Sequence, residues 1–87
     1  MRYTVLWTPE AEEQLAAIWI ESSNRQAIRE ASQRIDESLR RDPASQGESR
    51  VGNERVVHDA PLGVTFEVIE ADRTVFVIEV WQYRSRP

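Results

Sequence analysis

Polar and apolar positions alternate from Arg2 to Trp7, with Tyr3, Val5 and Trp7 on one side and Arg2, Thr4 and Leu6 on the other. That two-residue period predicts a strand. Thr8-Pro9-Glu10 then changes the period. Thr8 can cap a helix, Pro9 suits its first turn, and the acids that follow complement its positive end. Ala11, Leu15, Ile18 and Trp19 recur at helical spacing and mark a buried stripe. Ser22-Ser23-Asn24 interrupts. A second helix is predicted from Ser23-x-x-Gln26, which has capping-box spacing, to Asp42-Pro43, where the residue before proline resists helical geometry. Its seam is Ile28, Ala31, Ile35 and Leu39. Glu30 and Arg34, Asp36 and Arg40, and Glu37 and Arg41 are acid-before-base pairs at i,i+4, each worth about 0.3 kcal/mol.

Ala44 to Asn53 is polar and rich in Ser and Gly, which predicts a loop. Strands are predicted over Glu54 to His58, Leu62 to Ile69 and Thr74 to Tyr83, with Asp72-Arg73 in the last turn. Strict alternation would turn Val64, Phe66 and Val68 towards the helices, together with Phe76, Ile78 and Val80. The opposite face would then carry Thr65, Glu67, Glu79, Trp81 and Tyr83. The fold class is α+β: an antiparallel sheet in the order β-α-α-β-β-β, with two N-terminal helices packed on one face. The other face is where a function would sit.

With 87 residues the chain is expected to be a single domain over 1–87. Chains of this size bury only about 60–65% of the surface their unfolded form exposes. Three Trp, two Phe and two Tyr offset this with large apolar area. There is no cysteine and one histidine, His58, which excludes disulfides, a thiol nucleophile and a multi-histidine metal site within one chain. No metal or organic cofactor is expected. No signal peptide or membrane span is evident, so a cytoplasmic location is expected. A net charge of −4 argues against a general nucleic-acid coat protein. All eleven basic residues are arginine, several on the second helix and two in the tail Arg84-Ser85-Arg86.

Candidate chemistry gathers near the C-terminus. An imidazole suits proton transfer near neutral pH, which makes His58 a candidate general acid or base, against the plainer role of a strand-end histidine. Trp81 and Tyr83 could stack on a base or fill a partner's groove, or serve as edge packing. Arg84 and Arg86 are candidate phosphate ligands or simply a soluble tail. Glu67 and Glu79 are candidate paired carboxylates or interface residues, or a solvated pair balanced by Arg2 or Arg55.

The order strand, two helices, three strands, ending V-I-E-V-W-Q-Y-R, resembles the RelE/ParE toxin superfamily of bacterial toxin–antitoxin systems. The opening W-T-P-E-A-E-E-Q-L and the closing A-P-L-G-V-T-F-E-V-I-E-A-D-R-T-V-F-V-I-E-V carry the likeness, which covers nearly the whole chain. It implies the toxin of a type II module, of the plasmid-stabilisation kind, neutralised by a cognate antitoxin. RelE-like members are metal-independent endoribonucleases that cut messenger RNA on the ribosome. ParE-like members inhibit DNA gyrase. Carried across, the RelE pattern points to Tyr83 and Arg84, and to Arg55, with His58 close by, where members commonly carry lysines. The catalytic candidates are thus His58, Tyr83 and Arg84; Arg55 and Arg86 are candidate nucleic-acid ligands, and Trp81, Glu67 and Glu79 candidate interface residues. The arginine that RelE-like members carry at the start of the penultimate strand corresponds to Gly63, which favours a ParE-like or weakly cleaving member. Other expectations are a homodimer, or a non-catalytic protein- or RNA-binding module of the same fold.

Overall fold

A computed structural model describes residues 2–83 of the chain. The elements run β1 (Thr4–Trp7), α1 (Pro9–Glu21), α2 (Arg25–Arg41), β2 (Glu48–Ser49), β3 (Glu54–Asp59), β4 (Leu62–Ile69) and β5 (Thr74–Gln82). Thr8 caps α1: its hydroxyl accepts from the Ala11 amide at 3.2 Å, satisfying one of the unpaired donors of the first turn. At α2 the cap is Asn24, one residue beyond the predicted Ser23, and its side-chain oxygen accepts from the Ala27 amide at 3.1 Å. Ser22 Oγ accepts from the Asn24 amide at 2.9 Å and fixes the bend between the helices.

The five strands lie in the order β1-β5-β4-β3-β2. β2 to β5 pair antiparallel, which was expected for β3, β4 and β5. β1 joins the outer edge of β5 in parallel, Thr4 beside Thr74 through Trp7 beside Val77. The sheet is therefore mixed, and the expectation of a wholly antiparallel sheet is corrected at β1. β1 passes into α1 without turning back: the Thr8 amide donates to the Val77 carbonyl and Gln14 meets the Val80 amide further along β5, so α1 runs on in the direction of β1. A further short strand, β2, forms in the segment predicted as a loop. Arg55 holds β2 in place, donating to the carbonyls of Gln46 at 2.8 Å and Gly47 at 3.1 Å and to Ser49 Oγ at 2.8 Å. Gly47 has a φ of 65°, and a side chain there would strike the Val56 carbonyl.

Ile28, Ala31, Ile35 and Leu39 are all buried, so the α2 seam is the one its spacing predicts. They pack on Val5, Leu62, Val64, Phe66, Val68, Val75, Val77 and Val80 of the sheet. α1 buries only Ala11 fully, and Leu15, Ile18 and Trp19 pack against this core while partly exposed. Of the predicted helical ion pairs, Asp36 and Arg40 meet at 2.6 Å. Arg34 instead reaches Asp59 on β3 at 2.8 Å, and Glu37 pairs with Arg2 at 3.1 Å. Tertiary partners displace i,i+4 partners because exposed pairs differ by only tenths of a kcal/mol, on the order of 0.2–1 each.

One irregularity sets the faces of the sheet. Thr65 stands opposite Glu79 but Phe66 stands opposite Val77, so β5 carries one extra residue at Ile78. Such a bulge reverses the parity of everything beyond it. Val75 and Val77, not Phe76 and Ile78, therefore face the helices with Val80, and Phe76 turns to the open side. The Val80 amide near the bulge is taken up by α1, whose Gln14 Oε1 accepts from it at 2.7 Å. Among the described residues no helix is long and apolar enough to cross a membrane.

Candidate functional site

The sheet face away from the helices is built by cross-strand rows. One end holds His58, Gly63 and Trp81, with His58 paired to Gly63 and Gly63 to Trp81. The next row holds Val56, Thr65 and Glu79. A third runs from Glu54 through Glu67 and Phe76 to Leu6 on β1. Among the described residues no helix covers these positions, and Leu6 is 47% exposed.

Gly63 decides the shape of the first row. A Cβ at this position would lie 2.5–2.7 Å from the indole atoms of Trp81, so the ring rests directly on the glycine backbone. His58 meets the edge of Trp81 at a centroid distance of 5.7 Å and of Tyr83 at 5.2 Å, with interplanar angles of 76° and 87°. These are edge-to-face contacts, in which the positive rim of one ring meets the negative face of another. The Tyr83 amide donates to the Pro61 carbonyl at 2.9 Å, which ties the end of β5 to the β3–β4 turn. Three candidates named from the sequence, His58, Trp81 and Tyr83, thus form one aromatic cluster.

The remaining candidates lie elsewhere. Arg55 pairs with Phe66, on the helix side of β3, and its guanidinium is engaged with the segment leading into β2. It does not join the cluster. Arg84 and Arg86 lie outside the described residues. Glu67 and Glu79 share the open face but are not direct partners: Thr65 Oγ1 donates to Glu79 at 3.4 Å, while Glu67 stands between Phe76 and Glu54. Among the described residues no arginine lies within 4.0 Å of Glu54, Glu67 or Glu79. Nor does any cluster of three His, Asp or Glu there have the spacing to hold a metal ion.

What this arrangement offers is an imidazole ring and a phenol ring meeting edge to face beside a large flat indole. What the described face lacks is a cation to balance charge developing on a phosphorane. Leu6, Phe76 and Glu54 belong to the face, although the sequence did not place them there and strict alternation turned Phe76 towards the helices. Leu6 and Glu54 were legible from alternation alone, whereas Phe76 was hidden by the bulge.

No protein-family model matches the sequence, and no curated protein is significantly similar to it. Solved structures are. The chain is similar to one in the toxin–antitoxin complex RelBE2 from Mycobacterium tuberculosis, with a TM-score of 0.76 at 16% identity over 98% of this chain and 95% of that one. It matches the isolated E. coli RelE toxin with a TM-score of 0.68, at 16% identity over 97% and 87% of the two chains. A chain of the chromosomal ParDE system of P. aeruginosa gives 0.65 at 20% identity over 94% and 97%. The chain has the fold of the RelE/ParE toxins, in agreement with the resemblance carried by its strand and helix order.

Proposed function

We propose that this chain is the toxin of a type II toxin–antitoxin module, held inactive by a cognate partner protein, and that it acts on DNA gyrase in the ParE manner rather than as an efficient ribonuclease. The shared fold supports the first part. The observation that carries the second is Trp81 seated on Gly63, the position that corresponds to the RelE-like arginine. Glu79 and Glu67 beside it set a negative field where a phosphate would have to lie.

Tightly controlled induction in a bacterial host tests the proposal, with DNA and protein synthesis followed separately by pulse labelling. Early arrest of replication, relieved by co-expressing the neighbouring small reading frame, is the expected result. Early arrest of translation would overturn the gyrase assignment. Normal growth with folded chain accumulating would overturn the toxin reading in favour of a binding module.

The contact of His58 with Tyr83 favours a second reading, a weak metal-independent ribonuclease in which these two side chains handle the proton. Under that reading His58→Ala and Tyr83→Phe each abolish translation arrest, with folding retained.

A further inference from the structure

We infer that the outer side of the α1–α2 hairpin docks on the same surface of a second copy of this chain, about a two-fold axis. α1 carries apolar side chains on two sides. Ala11, Leu15 and Ile18 belong to the core, while Ala16 and Ile20 stand outside it, and Ile20 is 63% exposed. Leu15, Ala16, Trp19 and Ile20 form one wall of a groove of about 420 Å³, and Ile28 and Arg29 of α2 line the other. The groove runs on into a smaller hollow lined by Leu15, Ser32 and Trp7. An apolar groove alone does not select its occupant; the charges along this one do.

The short connection between the helices turns the chain back, so α1 and α2 run antiparallel. Arg25 lies 4.5 Å from the Trp19 ring centroid at the closed end, and Glu12 and Gln33 line one hollow at the other. Glu12 therefore marks one end of the groove on α1, with Glu13 next to it. Arg29 lies towards the other end on α2, beside Arg25, which is fixed there by donating to the Trp19 and Ile20 carbonyls at 3.0 Å. Glu21 and Glu30, the other acids near that end, line clefts on the far sides of their helices. Within one chain the acid and the base are thus held apart along a diagonal. A two-fold axis through the groove near Ala16 exchanges both ends and both sides, and lays Glu12 of each copy over the Arg25–Arg29 turn of the other. The same operation carries each Ile20 into its mate's hollow beside Leu15, Ser32 and Trp7. Ala16, at the axis, is small enough to let the helices approach. A surface with charges in this diagonal order is self-complementary, as an isologous interface requires. A uniformly acidic or basic helix from another protein would match only one end.

The pairing does not depend on the toxin reading, since the sheet separates the hairpin from the open face. Sedimentation velocity of the full chain tests it, from low-micromolar to near-millimolar concentration at low ionic strength. A monomer–dimer equilibrium that moves towards monomer at high salt is expected. Ile20→Ser weakens it about a hundredfold, because each pair loses two buried isoleucines. Val51→Ser removes a side chain that is 89% exposed and outside the groove, and leaves the equilibrium unchanged. Glu12→Arg and Arg29→Glu each weaken self-association about tenfold. Mixing these two variants restores it, because the mixed pair has opposite charges at both contacts. A contact made within one chain could not be rescued by mixing. Any of four results overturns the inference: a chain that stays monomeric at every concentration, equal losses in Val51→Ser and Ile20→Ser, or a mixture no tighter than its components. The fourth is an Ile20 methyl resonance that shifts only when the neighbouring small reading frame is co-expressed, which would give the groove to that partner.

Discussion

A methyl group at position 63 would come within 2.7 Å of the Trp81 ring, closer than carbon atoms pack, so the glycine and the indole behave as one unit. Gly63→Ala is expected to push the ring off its seat, because the neighbour that must yield is a half-exposed side chain rather than backbone. The cost of overpacking, about 1–3 kcal/mol, should appear in urea unfolding. It should be largely absent when Trp81→Ala is made first. A double-mutant cycle that proves additive would show that the two positions do not touch. The same geometry gives a second readout, since displacing the indole also removes the edge contact with His58 and moves its ring proton resonances.

Among the elements, the helix junction and the bulge show local chemistry deferring to its surroundings. Both Ser23 and Asn24 are acceptable caps, and Ser23 has the better sequence signature. Asn24 takes the position because α1 extends to Glu21 and Ser22 caps back onto the Asn24 amide, leaving Ser23 in the bend. Asn24→Ala should therefore cost about 1 kcal/mol in unfolding free energy, while Ser23→Ala stays near zero. Equal effects would place the cap at the serine. Gln14 plays the matching part at the sheet, where it is the side chain that meets the Val80 amide beside the irregular pairing of β5.

At the scale of the molecule, one edge of the sheet is β1, a four-residue strand whose segment is held in place by several residues. Tyr3 is one of them: its hydroxyl donates to Glu70 Oε1 at 2.7 Å, linking the N-terminal segment to the turn before β5. That bond, joined by burial and by the charge of Glu70, raises the Tyr3 pKa above its ordinary value, with Arg73 opposing. A group raised in the folded state contributes stability that is complete below its unfolded pKa and lost as pH climbs through the folded one. The chain has neither lysine nor cysteine to compete with Tyr3 in the alkaline range. The melting temperature should thus fall more steeply above about pH 10 in the native chain than in Tyr3→Phe. Parallel curves would mean that the bond is not made in solution.

Much of this architecture was legible in the order of residues. Helical spacing of Ile28, Ala31, Ile35 and Leu39 determined the buried seam of α2, because a 3.6-residue period admits one apolar side only. Alternation located four strands and the turn at Asp72-Arg73, and the aromatic tail pointed to the open face. Tertiary structure decided the remainder. β2 is braced by Arg55, which reaches the carbonyls of Gln46 and Gly47 across the turn, a contact with no local period to announce it. The parallel seat of β1 beside β5 is settled by pairing, and the faces of Phe76 and Val77 depend on a bulge whose position is set by pairing with β4. The union of His58, Trp81 and Tyr83 likewise required the strands to be brought into register, since residues 23 to 25 apart in sequence meet only across a sheet. Period is a property of a segment and can be read from it; pairing is a property of two segments and is settled when they meet.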